Sequence, residues 1–327
     1  MAKGHKPVAG SRGFWPRKRA KRIYPAVKAV SKDTGDKVIP LAFAGYKAGM
    51  TQVSYTDTRK GSATSGQEIV EAATVMDCPP LVVVGIKLYR EENGRLVSEG
   101  TVWEENLPKD LSRKLYVPKK PQTKKDVAEK KLEHLHEVRI IASTKPREAG
   151  FFKKKPEIFE IPVSGDVEKQ WAYAVEKLGK EIRFSDVFAP GEMVDASAVT
   201  KGKGFAGVVK RFGVKIRDRK SGGKRRHVGN IGAVTPGRVL PGAIAMAGQL
   251  GFQTRTEYKK RILKVGDEGI EARGGFVNYG RVPKDYAIIE GSVPGPKKRL
   301  VIMRRAARWT GGPQPVELNH VSLEQQQ

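Results

Sequence analysis

The sequence predicts a mainly β protein that carries an α/β insertion, a long basic loop and a basic N-terminal arm. Three observations lead there. Short apolar runs punctuated by Gly and Pro occur in two separated regions, residues 39–89 and 261–303. The stretch between them turns Lys-rich and takes on helical periodicity. Two further segments, one at the N-terminus and one after residue 199, are dense in Lys, Arg and Gly and almost free of acid.

Residues 1–32 hold ten Lys and Arg, and no acid precedes Asp33. Pro and Gly interrupt regular structure and like charges repel, so this reads as an extended arm that a polyanion orders. A solvated tail is the bland alternative, but Phe14 and Trp15 argue against it, because a solubility tail has no use for aromatic faces. Leu41-Ala42-Phe43, Thr51-Gln52-Val53, residues 69–76 and residues 81–89 follow as short strands with turn signals, which suggests a barrel. Trp171, Val175 and Leu178 then recur at i, i+4 and i+7, one face of an amphipathic helix, after a polar linker at Val117-Pro118-Lys119-Lys120-Pro121. β character returns at residues 261–265, 286–289 and 300–303. The expected organisation is an arm over 1–36, a barrel core over 37–89 and 184–315, with the basic loop inside 197–257, an α/β insertion over 90–183 and a C-terminal tail over 316–327.

A chain of 327 residues can bury a real core, and 39% of it is hydrophobic. The 62 Lys and Arg against 35 Asp and Glu leave a net charge of +27. Such an excess calls for a polyanionic partner, since a phosphate backbone relieves self-repulsion and releases condensed counterions. A membrane is the weaker choice, because the apolar run over 81–86 falls far short of the ~20 residues of a span. No apolar segment follows the basic residues at the N-terminus, so a cytoplasmic protein is expected. Cys78 is the single cysteine and precedes Pro79-Pro80 in an apolar context, where an inert buried thiol is expected.

The densest basic feature is the loop set Lys201, Lys203, Lys210, Arg211, Lys215, Arg217, Arg219, Lys220, Lys224, Arg225 and Arg226, which faces the one acid Asp218. Its glycines let backbone approach phosphates closely. Arg238 and Gln249 extend the set into residues 231–249, which are small and otherwise uncharged, and which read equally as a core segment or as a slender loop between RNA helices. The arm set is Arg12, Phe14, Trp15, Arg17, Lys18, Arg19, Lys21 and Arg22, and a C-terminal set is Lys297, Lys298, Arg299, Arg304, Arg305 and Arg308. All three are candidate RNA-binding residues. Catalytic signals fail on inspection. Gly202-Lys203-Gly204-Phe205-Ala206-Gly207 fits G-x-G-x-x-G, yet it lacks a preceding hydrophobic strand and a ribose-binding acid. No phosphate-binding P-loop occurs, and His134-Leu135-His136 lacks a third metal ligand and reads as two exposed histidines near a helix end. No catalytic residue, metal, cofactor or small-molecule substrate is therefore expected.

Several motifs together resemble the L-three family of large-subunit ribosomal proteins, most closely its archaeal and eukaryotic branch. They are Gly45-Tyr46-Lys47-Ala48-Gly49-Met50-Thr51, Val199-Thr200-Lys201-Gly202-Lys203-Gly204, Gly207-Val208-Val209-Lys210-Arg211-Phe212-Gly213, Gly275-Phe276-Val277-Asn278-Tyr279-Gly280 and Gly291-Ser292-Val293-Pro294-Gly295-Pro296-Lys297-Lys298-Arg299-Leu300, with Gly13-Phe14-Trp15-Pro16-Arg17-Lys18-Arg19 in the arm. The resemblance spans essentially the whole chain and is thinnest over 90–183. It implies a six-stranded translation-protein-type β-barrel whose loop and arm penetrate large-subunit rRNA, the loop approaching the peptidyl-transferase region. It also implies neighbours of the L-fourteen family and of the archaeal L-twenty-four-e type, structural Mg ions of the rRNA nearby, and no chemistry by the protein itself. At the loop tip, where eukaryotic members carry a Trp-His pair with a methylated His, this chain has Val234-Thr235, so neither that modification nor the bacterial modified Gln transfers. The rival readings are an RNA-modifying enzyme whose basic loop grips substrate, and a translation factor, which would need the missing phosphate loop.

Overall fold

The computed structural model describes residues 14–28, 37–59, 61–117, 134–240, 242, 244–314 and 316–324. The chain divides into two units, unit 1 being Met1–Ile23 with Val199–Arg255 and unit 2 being Tyr24–Ala198 with Thr256–Gln327. It is mainly β, with few helices.

Unit 2 is organised by β1 (Ala42–Thr56), whose first eight residues are buried before exposure begins to alternate. Small residues Ala42, Ala44, Gly45, Ala48 and Gly49 suit that half, because neighbours crowd it closely. β1 pairs antiparallel with β2 (Glu68–Asp77), with β13 (Leu300–Arg305) over residues 42–46, and with β14 (Leu318–Val321) over residues 53–55. The remaining members are β8 (Met193–Val199), β11 (Thr254–Gly266) and β12 (Tyr286–Glu290). The order β13-β8-β11-β12-β2-β1 returns to its start, because β1 and β13 also pair. Six strands thus share one closed hydrogen-bonding path.

After β2 the chain leaves this path at Cys78-Pro79-Pro80, where neither proline nitrogen carries a proton for a ladder. It enters a second sheet of order β4-β3-β5-β6, with β7 also on β3. These strands are β3 (Leu81–Glu92), β4 (Arg95–Trp103), β5 (Glu137–Thr144), β6 (Ile158–Pro162) and β7 (Glu181–Ile182). Asn93 and Gly94 both have positive φ, 52° and 70°, and turn β3 into β4 tightly. Helix α1 (Val167–Lys177) buries Trp171 and Ala174, and Leu178 just past its end is buried too. Period-two alternation explains the unbroken apolar run: Leu81 and Val83 join the main core with Trp171 and Ala174, whereas Val82 and Val84 meet Leu111 and Ile141 on the other face.

Two expectations change here. Residues 81–89 belong to the second sheet rather than to the first β region, because both edges of β3 are taken by β4, β5 and β7. The C-terminal tail contains β14, which takes the edge of β1. His134 and His136, both exposed, lead into β5, and Leu135 between them is buried. Pro118, Lys119, Lys120 and Pro121 of the expected linker lie outside the described residues.

Two buried polar networks fix the core. Arg261, 1% exposed, donates from Nε to Glu290 at 3.0 Å and from its Nη2 to the Tyr55 hydroxyl at 2.6 Å. The Tyr55 hydroxyl donates in turn to Glu71 at 3.0 Å. A buried cation without such partners would cost several kcal/mol. The second network centres on Asp77, which accepts from the Tyr279 hydroxyl at 2.6 Å and from the Gly150 N–H at 2.9 Å. Burial pushes its carboxyl up to about 6, against the two hydrogen bonds that favour the charged form. Cys78, next to it, is fully buried, and desolvation raises its thiol well above the ordinary range.

Asp77 has a testable consequence. Its unfolded carboxyl titrates near pH ~4, so between that pH and about 6 the unfolded state releases its proton first and native stability falls as pH rises. The loss saturates at about 3 kcal/mol by linkage. Asp77→Asn keeps an acceptor for Tyr279 and Gly150 but removes the charge. Urea midpoints taken between pH 4 and 7 should therefore fall less for the variant than for the parent.

Candidate nucleic-acid interface

Unit 1 takes its shape from a narrow base. β9 (Phe205–Ala206) pairs antiparallel with β10 (Gly248–Gln249). Beyond that ladder, the Lys203 N–H donates to the Leu250 carbonyl, the Leu250 N–H to Gly204, and the Thr200 N–H to Gln253, each at 2.9 Å. Gly251 closes this base at φ +71°, where a Cβ would stand 2.0 Å from the Lys201 carbonyl oxygen. No other residue fits there. Between the two strands, α2 (Val208–Phe212) ends on Gly213 in the left-handed conformation, φ 69°.

Phe212 is the anchor of the unit. It is 8% exposed, with Trp15 edge-on at 4.8 Å, the Arg17 guanidinium 4.2 Å from its ring centre and that of Arg211 at 5.1 Å. The two arginines brace each other's backbone: Arg17 donates to the Arg211 carbonyl at 2.7 Å, and Arg211 donates to the Arg17 carbonyl at 3.1 Å. Arg211 also donates to the carbonyls of Gln249 at 3.0 Å and Met246 at 2.7 Å. Desolvation, then repulsion from Arg17, pulls the Arg211 guanidinium down from its ordinary value. The Ala20 N–H closes on the Phe252 carbonyl at 2.8 Å. Trp15 Nε1 and Arg17 Nε are buried donors that meet no acceptor among the described residues.

The expected loop residues therefore fall into two groups. Lys201, Lys203, Lys210, Lys215, Arg217, Arg219, Lys220, Lys224, Arg225, Arg226 and Arg238 are exposed. Arg211 and Gln249 are committed inward, the latter donating from Nε2 to the Leu250 and Gly251 carbonyls at 3.2 and 3.1 Å. Among the exposed group, Arg217 and Arg225 shape the tip: the Arg217 N–H donates to the Arg225 carbonyl at 3.2 Å, and the Arg225 guanidinium donates back to Arg217. Asp218 accepts from the Lys220 N–H at 2.9 Å and so turns the chain rather than crossing it with an ion pair. Residues 231–240 are exposed throughout, with Val234 at 94%, which removes the reading of this part as a core segment.

In the arm, Phe14, Lys18, Arg19, Lys21 and Arg22 are exposed, whereas Trp15 and Arg17 are half-buried against Phe212. Arg12 lies outside the described residues. The C-terminal set belongs to unit 2 and needs correction. Arg304 is buried with its guanidinium 3.2 Å from Asp195, and Arg305 pairs with Glu192 at 3.2 Å, because β13 faces the acid-bearing end of β8. Lys297 donates to the Val277 carbonyl at 2.7 Å, and burial lowers the Arg299 guanidinium. Lys298 and Arg308 remain exposed. Sequence reasoning missed Phe212 as the anchor and missed Arg255, whose guanidinium lies 4.5 Å from the Phe14 ring centre. An isolated Phe inside a basic run and an Arg beyond it carry no period that would mark them.

Sequence reasoning predicts rapid amide exchange throughout residues 1–32 and 203–226 in the free protein. The bonded N–H groups of Lys203, Arg211 and Ala20 restrict that prediction to the unbraced stretches, such as the residues around Lys224. Arg211→Ala should speed exchange at Ala20 by about tenfold or more, since hydrogen bonds to charged groups are worth ~1.5–3 kcal/mol each. Exchange in β1 and β5 should not change. Hydrogen exchange read by mass spectrometry on both proteins checks this.

Among the described residues, no group of three or more His, Cys, Asp or Glu could hold a metal ion and no helix is long and apolar enough to cross a membrane. The family model for ribosomal protein L3 matches residues 1–324. The chain is 43% identical to the large ribosomal subunit protein uL3 of Methanothermobacter thermautotrophicus over 338 aligned positions, covering 100% of this chain and 99% of that one. It is 46% identical to the protein of the same name from Methanopyrus kandleri, covering 93% and 86%. Against that of Nanoarchaeum equitans it is 44% identical, covering 98% and 97%. A family-model match of this extent, together with full-length identity above 40%, shows that the chain belongs to the ribosomal protein L3 family.

Proposed function

We propose that this protein is a structural constituent of the large ribosomal subunit, present in the cytoplasmic ribosome, where it binds large-subunit rRNA and supports assembly. The observation that carries the reading is full-length membership of a family whose relatives are named large ribosomal subunit protein uL3. The exposed cations of residues 201–226, set on a braced unit, supply the physical means. In this reading unit 2 supplies a translation-protein-type barrel, formed by the closed six-strand path, and unit 1 enters the rRNA with its loop directed toward the peptidyl-transferase region. Trp15 Nε1 and Arg17 Nε would find phosphate or ribose acceptors there. With Val234-Thr235 at the tip, contact rests on backbone and on Arg238 rather than on an aromatic stack. Neighbours of the L-fourteen and archaeal L-twenty-four-e types and rRNA-bound Mg ions belong to the same proposal. No observation favours the RNA-modifying alternative.

Salt dependence of binding to in vitro transcribed large-subunit rRNA tests it. Each phosphate contact contributes about 0.7 to 0.9 to the slope of log K against log salt. Replacing Lys215, Arg219, Lys220, Lys224 and Arg226 together with Gln should weaken binding and lower that slope by up to about 4. Arg304→Gln should leave the slope unchanged while lowering thermal stability, since it leaves Asp195 buried without its partner. An unaltered slope in the fivefold variant would contradict the proposal.

A further inference from the structure

Unit 2 carries an aromatic residue that its fold does not use. Phe152 is fully exposed, at 106% of its reference area, whereas its neighbour Phe151 packs edge-on to Tyr46 at 4.9 Å and against Tyr279 at 5.2 Å. A ring left in water is unremarkable on a frayed loop, but this loop is pinned on every side. Gly150 donates its N–H to Asp77 at 2.9 Å, and a Cβ on it would stand 1.5 Å from the Arg281 carbonyl oxygen. Pro156 and Glu157 are buried, and Glu157 accepts from the Tyr46 hydroxyl at 2.8 Å. Lys153 pairs with Glu157 and lies over the Tyr46 ring, 5.5 Å from its centre. Phe151 and Lys153 face inward, so the residue between them faces out on a held backbone. The ring is presented with little conformational entropy left to lose.

Its surroundings are cationic. Lys154 and Lys155 are exposed, and a cavity of about 330 Å³ is lined by Arg147, Phe151, Phe152, Lys153 and Lys154. The acids of the neighbourhood are already engaged: Asp110 takes Arg147 bidentately and Glu157 takes Lys153. Burial first, then repulsion from Lys114 and Arg299, lowers the Lys153 ammonium to about 8, and the cations left exposed beside the ring are Lys154 and Lys155. An acidic protein surface would answer the charge but would give the flat exposed ring nothing to stack on. A nucleotide answers both, with a base on the ring and its phosphates on the lysines.

We infer that Phe152, Lys154 and Lys155 form a second RNA-binding site, on the insertion rather than on the arm or loop, which captures an unstacked base of single-stranded or looped RNA on the Phe152 ring. This rests on the proposal that the protein binds rRNA, and adds to it the kind of RNA element that unit 2 recognises. Arg147 and Lys153, held by their carboxylates, frame the site, and Lys154 and Lys155 supply phosphate contacts.

Phe152→Ala, Phe152→Leu and Phe152→Trp, all in the full chain, separate stacking from apolar contact. Binding to in vitro transcribed large-subunit rRNA should weaken about tenfold for Ala and Leu alike and be retained or improved for Trp, as base–aromatic stacking predicts. Because the ring is exposed, thermal melting of all three should match the parent, which excludes misfolding as a cause. Lys154→Gln with Lys155→Gln should lower the salt slope by about 1 to 2. Unchanged rRNA affinity in Phe152→Ala and Phe152→Leu would overturn the inference. So would parental rRNA affinity in Phe152→Leu alongside loss in Phe152→Ala, which would assign the contact to apolar area rather than to base stacking. The fivefold loop variant serves as the control: if it weakens binding while the Phe152 variants do not, the site fails and the rRNA-binding proposal stands.

Discussion

A chain with 62 basic side chains and 35 acidic ones cannot neutralise itself, and where it places its few acids decides what each part of the structure can do. The acids are spent in unit 2. Asp195 holds Arg304, Glu192 holds Arg305, Glu290 holds Arg261, Glu157 holds Lys153 and Asp110 holds Arg147. Several of these cations are buried or half-buried, where an unpaired charge would be costly. Residues 199–256 contain Asp218 alone, and that carboxylate is engaged in a turn. Unit 1 is therefore left with its positive charge open, and its geometry has to come from something other than ion pairing.

That something is backbone capture and ring stacking. Arg17 and Arg211 each donate to the other's carbonyl and both lie over Phe212, so two like charges are held near each other by acceptors and a quadrupole instead of by acids. The arrangement fixes the arm to the base of the loop and leaves the outer lysines and arginines exposed. It also explains why Gly251 is indispensable: the base is so narrow that the Lys201 carbonyl occupies the space of a side chain. A braced base with an exposed tip limits the entropy lost when RNA orders the rest.

Much of this was legible in the sequence, and for identifiable reasons. Strand and helix periodicity marked β1, β2, α1, β12 and β13, and the acid-free runs marked the arm and loop. The boundary at Cys78-Pro79-Pro80 was not legible, because an apolar run such as residues 81–86 looks the same whether its partners lie before or after it. The apparent tail became β14 through an edge that only tertiary pairing reveals. Site residues divided along the same line. Charge density found the exposed loop cations, but composition cannot distinguish Lys215, free in solvent, from Arg211, turned inward, or Arg308 from the buried Arg304. Phe152 was invisible for the opposite reason, since a Phe-Phe pair reads as core and only the packing of Phe151 shows that its neighbour is left outside.

The central claim is that paired charge builds the protein while unpaired charge enters folded RNA. Sedimentation of the full chain with large ribosomal subunits through a high-salt wash tests it most directly. Salt weakens exposed phosphate contacts but does not remove a segment enclosed by folded RNA, so the protein should stay with the subunit after the wash. Its quantitative release into the supernatant, with the subunits otherwise intact, would reduce the basic loop to a surface attachment and contradict the account.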